Sequence, residues 1–484
     1  MLSALSEFFA PTAPTAPTAS TARRRGAARL AASMAVSGLV VAGTLAGAGA
    51  AVADDALQHR GGAAATLDGL MTYDKAVLTT DGEKRELPAG LFEMTVDGGG
   101  KLKTYCIDIH NPTQDQAKYL ETPWAQTSLG ANKNAGKIRW ILQNSYPQVD
   151  DLAALAEDAG TGPLTAQTAA AGTQVAIWRH SDNADVDAVD PQAEKLADWL
   201  ERGADHVGEP KASLTLEPGA VSGRSGERIG PVTVRTDADS VAVSPPADAA
   251  AMGIEITDKD GKPVTEAADG TRLYFDVPED AADGTAALSV QATTSVPVGR
   301  AFAGVTKSQT QILAGSSEST VSAAATATWA AQGAIPAITA EKNCAKGGVD
   351  VTAANTGDEP FSFTLAGEGY AVEAGKSRTV TVPVAEDQAY DFTITGPGGL
   401  TKSFQGVLDC RTTGNPGPAP VDETSTQLAP ATAGGGAGTD GLDLAETGTS
   451  NATPIIGGVA IGLVLIGGAA VFFFRKKSDP STED

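Results

Sequence analysis

Apolar and polar positions alternate with two different periods along this chain, and the change of period divides it. Over residues 63–208 both periods occur. Gly90 to Val96 and Lys101 to Ile109 alternate with period two around the turn Asp97-Gly98-Gly99-Gly100, which predicts a β-hairpin. Lys137 to Leu142 predicts a short helix. Leu164 to Arg179, opened by Thr161-Gly162-Pro163 and rich in alanine, predicts a longer one, and Gln192 to Leu200 a third. This first region is therefore α+β. Over residues 210–332 only short period-two runs remain, such as Ala212 to Leu216 and Pro231 to Val234, separated by turn residues at Asp258 to Pro263 and Asp283-Gly284. That texture predicts a β-sandwich. Residues 337–411 predict a second, smaller all-β domain of Ig-like type, with strands at Phe361 to Leu365 and Thr379 to Val382. The fold class expected is thus multidomain, an α+β domain followed by two all-β domains.

The two longest apolar runs flank this folded part. Leu30 to about Ala50 follows Arg23, Arg24, Arg25 and Arg29 and precedes Ala51-Val52-Ala53. This is the pattern of a secretory signal cleaved between Ala53 and Asp54, so residues 1–53, with their N-terminal extension, are set apart from the fold. Pro454 to Phe474 is an uncharged stretch of 21 residues, long enough for a transmembrane helix. Arg475-Lys476-Lys477 after it directs the tail, residues 475–484, to the cytoplasm. Residues 412–443, rich in Gly, Pro, Thr and Ala, cannot bury a core and predict a disordered linker. Between linker and span lies Leu444-Ala445-Glu446-Thr447-Gly448. In this order of pentapeptide, apolar span and basic tail the chain resembles sortase substrates of Gram-positive bacteria, whose signal is L-P-x-T-G-like. Ala445 in place of proline resembles a variant typical of high-GC actinobacteria. The resemblance implies cleavage after Thr447 and attachment to peptidoglycan. It implies sortase, peptidoglycan and, before sorting, the membrane as partners, and a wall-anchored location at the cell surface.

Composition narrows the function. The 59 acidic residues outnumber the 35 basic ones, for a net charge of −24. No basic patch is available to neutralise phosphates, which argues against nucleic-acid binding. The four histidines, His59, His110, His180 and His206, show no ligand spacing and the cysteines are scattered, so no metal is predicted. No glycine-rich loop precedes a lysine, and no cofactor is predicted.

Export favours disulfides, and three cysteines leave one over. Cys344 and Cys410 bracket the last β-domain and predict its disulfide. Cys106 is the odd one, in Thr104-Tyr105-Cys106-Ile107-Asp108-Ile109-His110. Strand alternation from Lys101 to Ile109 puts Leu102, Thr104, Cys106 and Asp108 on one face. On the predicted helix ending near Arg179, Gln174 shares a face with Ala170, Ala171, Ile177 and Trp178. A buried carboxamide must find hydrogen bonds or cost about 1–3 kcal/mol. A thioester between Cys106 and Gln174, formed with loss of ammonia, would remove the stray thiol and the awkward amide together, with Trp178 shielding it from water. Asp108, His110 and His180 are candidate assisting residues, the histidines as bases for the thiol.

Tyr105-Cys106-Ile107-Asp108 and Thr173-Gln174-Val175-Ala176-Ile177-Trp178 resemble the two motifs of thioester-domain adhesins of Gram-positive bacteria. The resemblance covers roughly Ala63 to Gly208 and implies a mixed α+β domain whose Cys106–Gln174 thioester captures amines, such as a protein lysine, on a target surface. On this reading the protein is an adhesin and not an enzyme. Two other readings are open: a passive wall protein with an inert Cys106, and a secreted cysteine hydrolase or transpeptidase using a Cys106–His dyad.

Overall fold

The structure is a computed structural model that describes residues 61–396 and 400–412. The signal segment with its Ala53–Asp54 junction, the linker from residue 413, the Leu444 to Gly448 pentapeptide, the 454–474 span and the tail lie outside the described residues.

The first region is built on antiparallel strands whose pairings close a ring. Ala64–Thr80 pairs with Glu83–Val96, which pairs with Lys101–Cys106. Lys101–Cys106 pairs with Gln311–Ser316, which pairs with Ala301–Gly304. Ala301–Gly304 pairs with Lys118–Thr122, which returns to Ala64–Thr80. Closure leaves no open edge in this ring. The long first strand bends round it through register shifts at Leu67/Gly69 and Leu70/Thr72. Gly69 sits there at φ +131°, a conformation that glycine adopts without strain.

Helices cover one side of the ring. Ala166–Ser181 starts at a capping box between Thr165 and Thr168 and packs against the first three strands. A second helix, Pro191–Gly203, crosses it so closely that a Cβ on Gly172 would lie 2.5 Å from the Ala193 carbonyl oxygen. Both helices and Ala135–Gln143 fall where the sequence predicts them; Leu152–Ala159 adds a fourth.

The second region departs from the predicted boundaries. A four-stranded sheet, with Arg228–Thr236 and Arg272–Asp276 at its centre, faces a five-stranded sheet containing Gly284–Ser295 and Glu318–Ala330. These last two strands form a long hairpin, from Gly284 opposite Trp329 to Ser295 opposite Glu318. Residues between them do not make a tight turn. They leave the sandwich and supply Ala301–Gly304 and Gln311–Ser316 to the ring. The first domain is therefore discontinuous in sequence, and the expected 63–208 and 210–332 units interlock. Period-two alternation looks the same in either sheet, so the pattern carries no sign of the crossing. One continuous apolar core joins ring and sandwich, with Leu67, Met94, Phe275 and Trp329 among its buried side chains.

The last domain is built of two sheets. Pro336–Asn343, Gly348–Asn355 and Lys376–Pro383 form one sheet; Glu368–Val372, Phe361–Leu365, Ala389–Thr395 and Thr401–Val407 form the other. Ile338, Val351, Phe361, Leu365 and Ile394 fill a separate core between them. Cys344 and Cys410 are disulfide-bonded as predicted, closing 66 residues of chain. Replacing both by serine is expected to cost this domain roughly 2–4 kcal/mol, read as a lower melting temperature in calorimetry.

Candidate functional site

The strand Lys101–Cys106 ends at Cys106, shorter than predicted. Its pairing with Glu83–Val96 stops at Thr104, which leaves the Cys106 backbone groups on that side without a strand partner. Gln174 supplies one. Its Oε1 accepts from the Cys106 N–H at 3.0 Å and its Nε2 donates to the Cys106 carbonyl at 2.8 Å. Both ends of this buried amide are spent on the backbone, as a continuing strand would spend its own groups.

The other side of Cys106 faces Gln311–Ser316, with Gln311 directly opposite it. The Thr310 carbonyl accepts from Ile107 N at 3.2 Å and so brings the preceding residue, Gln309, alongside the thiol. Cys106 Sγ donates to Oε1 of Gln309. Trp178 Nε1 donates to Sγ from the helix at 3.3 Å, and the Asp108 carbonyl oxygen lies 3.5 Å from it. Cys106 is 2 % exposed, Gln309 6 % and Trp178 3 %. The predicted joining of Cys106 to Gln174 is thus corrected. Gln174 holds the cysteine backbone, and the carboxamide at the sulfur belongs to Gln309.

The assisting residues divide. Asp108 is buried and close, its carboxylate accepting from His110 N, Asn111 N and Asn111 Nδ2. His110 is exposed, beyond the end of the strand at Cys106. His180 is buried in the last turn of the Gln174 helix, its Nε2 without a partner and its pKa lowered mainly by burial. Among the described residues, no hydrogen bond joins either imidazole to Sγ or to Gln309. The thiol itself is pushed well above its usual pKa by burial, which outweighs the Asp108 carbonyl and the Trp178 indole. It rests as a neutral S–H.

Three buried carboxyls surround the pair. Burial lifts Asp108 to about 7, with Asp409 adding to the effect and the His110 N–H opposing it. Burial lifts Asp409 to about 6; Glu386 and Asp387 add, while Thr310 and Lys342 oppose. Burial also lifts Asp182 well above the ordinary carboxyl range, helped by Asp108 and Asp409. A carboxyl whose folded pKa is raised holds its proton longer in the native state, so stability falls as pH rises from the unfolded value through the folded one. The melting temperature is expected to fall between about pH 4 and pH 7 on this account. Asp409→Asn should flatten the fall, as followed by thermal unfolding at constant ionic strength.

Among the described residues, Glu386, Asp387 and Asp409 could offer clustered carboxylate ligands, with one oxygen from each within 4.8 Å of the others. Lys342 acts electrostatically on Asp409 and supplies positive charge at that place.

Gln309 was missed from sequence because it lies far downstream, in a stretch that reads as sandwich. A signal was present: Ser308-Gln309-Thr310-Gln311 puts two carboxamides at strand spacing immediately before Ile312-Leu313-Ala314. Both are buried, and Gln311 Oε1 accepts from Thr104 Oγ1 at 3.1 Å.

Residues 103–206 match the family described as the thioester domain. The matched stretch contains Cys106 and Gln174 and stops before Gln309. Residues 336–407 match the C-terminal domain of bacterial phospholipase C. No curated protein matches the chain. Among solved structures, the Bacillus anthracis TIE protein is similar at 14 % identity, over 72 % of this chain and 81 % of that one, with a TM-score of 0.26. The thioester domain of the Enterococcus faecium TIE86 protein is similar at 15 % identity, over 55 % of this chain and 96 % of that one, with a TM-score of 0.25. At these TM-scores the likeness carries no further argument.

Proposed function

We propose that Cys106 and Gln309 form an internal thioester and that the protein uses it to capture amines covalently at a target surface. The observation that carries this reading is the contact of a buried thiol with a buried carboxamide, Sγ of Cys106 against Gln309. In the forming step Sγ bonds to Cδ of Gln309, the Cδ–Nε2 bond breaks, and the thiol proton leaves on nitrogen as ammonia. In the capture step an amine nitrogen bonds to Cδ, the S–Cδ bond breaks, and a proton from the amine returns to sulfur. Trp178 Nε1, already aimed at Sγ, steadies the negative charge that sulfur carries as it leaves. Burial keeps water from the acyl group. A side chain consumed by its first capture does not turn over, so the protein acts as a single-use covalent adhesin and not as an enzyme.

The anchored layout read from sequence completes the proposal: export, cleavage at Ala53–Asp54, and sortase joining of Thr447 to peptidoglycan. The target is an amine-bearing surface ligand, a protein lysine being the fitting class. A cysteine hydrolase reading loses support because neither His110 nor His180 is bonded to the thiol.

The test is intact-mass analysis of the secreted protein before and after methylamine. The untreated chain should be lighter by one ammonia and show no titratable thiol when denatured. Methylamine should add its own mass and release the Cys106 thiol. An untreated chain of full mass, with Cys106 titratable from the start, removes the thioester.

A further inference from the structure

The disulfide-closed domain, with Thr412 just after it, touches every arm of the Cys106–Gln309 site. Next to Gln309, Thr310 Oγ1 donates to Asp409 Oδ2 at 2.7 Å. On the segment after Cys106, Asn111 Nδ2 donates to Asp387 Oδ1 at 3.2 Å while also donating to Asp108 Oδ2 at 2.6 Å. Beyond Trp178, the Ser181 carbonyl accepts from Thr412 Oγ1 at 3.1 Å. Asp387 and Asp409 act from one rigid corner, since Asp387 N donates to the Leu408 carbonyl and Glu386 takes the Cys410 and Arg411 N–H groups. The Cys344–Cys410 disulfide ties that corner to the first strand of its domain. One small cavity lies at this contact, lined among others by Asn111, Ser308, Lys342, Asp387 and Asp409, and its volume is about 10 Å³, scarcely enough for one water.

We infer that the disulfide-closed domain is a cap latched over the thioester by Asp409–Thr310 and Asp387–Asn111, and that these latches decide which amines reach Gln309. The inference rests on the proposed Cys106–Gln309 thioester. A lysine carried on a folded surface brings bulk that the closed seam does not admit. A small amine needs only a transient gap. Capture of a macromolecular amine then requires the cap to swing away, and the site is protected from water and from stray amines until it does. Asp387 and Asp409 are specificity-determining residues on this account, with no contact to the reacting atoms.

The experiment compares methylamine with a long amine-terminated polyethylene glycol on the full secreted chain, following adduct mass with time. The wild type should take methylamine readily and the long amine far more slowly. Asp409→Ala and, from the opposite side of the same bond, Thr310→Val should each raise the ratio of long-amine to methylamine rates about ten-fold, the size expected for losing one hydrogen bond to a charged group. Asp409→Asn keeps an acceptor for Thr310 and should keep the wild-type ratio. If the untreated variants retain the ammonia deficit and the ratio stays at the wild-type value in both Asp409→Ala and Thr310→Val, the cap is overturned and the thioester stands. If the wild type lacks the deficit, the thioester reading itself has failed.

Discussion

Replacing Gln309 by alanine is expected to yield a folded chain of full calculated mass, with a free thiol at Cys106 and no uptake of methylamine. The carboxamide is the acyl donor, and alanine has no acyl carbon to offer, so the loss should be complete. Gln174→Leu should behave differently. It leaves the Cys106 N–H and carbonyl without their partners, at a cost of about 1–3 kcal/mol for each buried group. The chain should be less stable and form thioester in only part of the molecules, while those that form it still take up methylamine. Intact mass of both variants, with thiol titration after denaturation, separates the roles. A complete loss in Gln174→Leu beside an unaltered Gln309→Ala would return the acyl donor to the helix.

Glu121→Ala is expected to destabilise the protein by about 3–5 kcal/mol, the cost of breaking a buried ion pair from one side. Glu121 is fully buried at the junction of ring, connecting segment and sandwich. Its carboxylate accepts from Ala63 N at 3.0 Å, Ser213 N at 2.9 Å and Arg300 Nε at 2.8 Å. Arg300, itself 3 % exposed, keeps Glu209 but loses its closest buried counter-charge. Pairing of Phe302 with Glu121 holds the strand just before Gln309 in the ring, so the variant should also lower the thioester fraction. A shift of the urea midpoint measures the first effect and intact mass the second. Glu121→Leu combined with Arg300→Met should recover much of the stability, because no charge is then left buried without a partner. A double variant as unstable as Glu121→Ala would show that packing, and not the ion pair, is what matters there.

Much of the fold was legible because local pattern and local structure coincide. The helices around Lys137 to Leu142, Leu164 to Arg179 and Gln192 to Leu200, and the strand Phe361–Leu365, follow from periodicity and caps within a few residues of one another. The disulfide was legible from the parity of cysteines in a chain read as exported and from their bracketing of one domain. Cys106 and Gln174, which hydrogen bonds join in the structure, also stood out in the sequence. Their relation did not, since a buried carboxamide has the same sequence signature whether it meets a backbone or a sulfur.

The sequence alone therefore determined which residues carry unusual chemistry: an unpaired thiol, a carboxamide on an apolar helix face, and a tryptophan beside it. Only the tertiary structure decided which carboxamide meets the sulfur. That choice depends on a hairpin of the sandwich sending two strands into the ring and on register across it, with Gln311 opposite Cys106. Non-local strand pairing leaves no local mark, because every strand shows the same period-two alternation whichever sheet it joins. The cap over the site was invisible for the same reason, as Asp409 and Thr310 meet through the packing of two domains and not through any pattern along the chain.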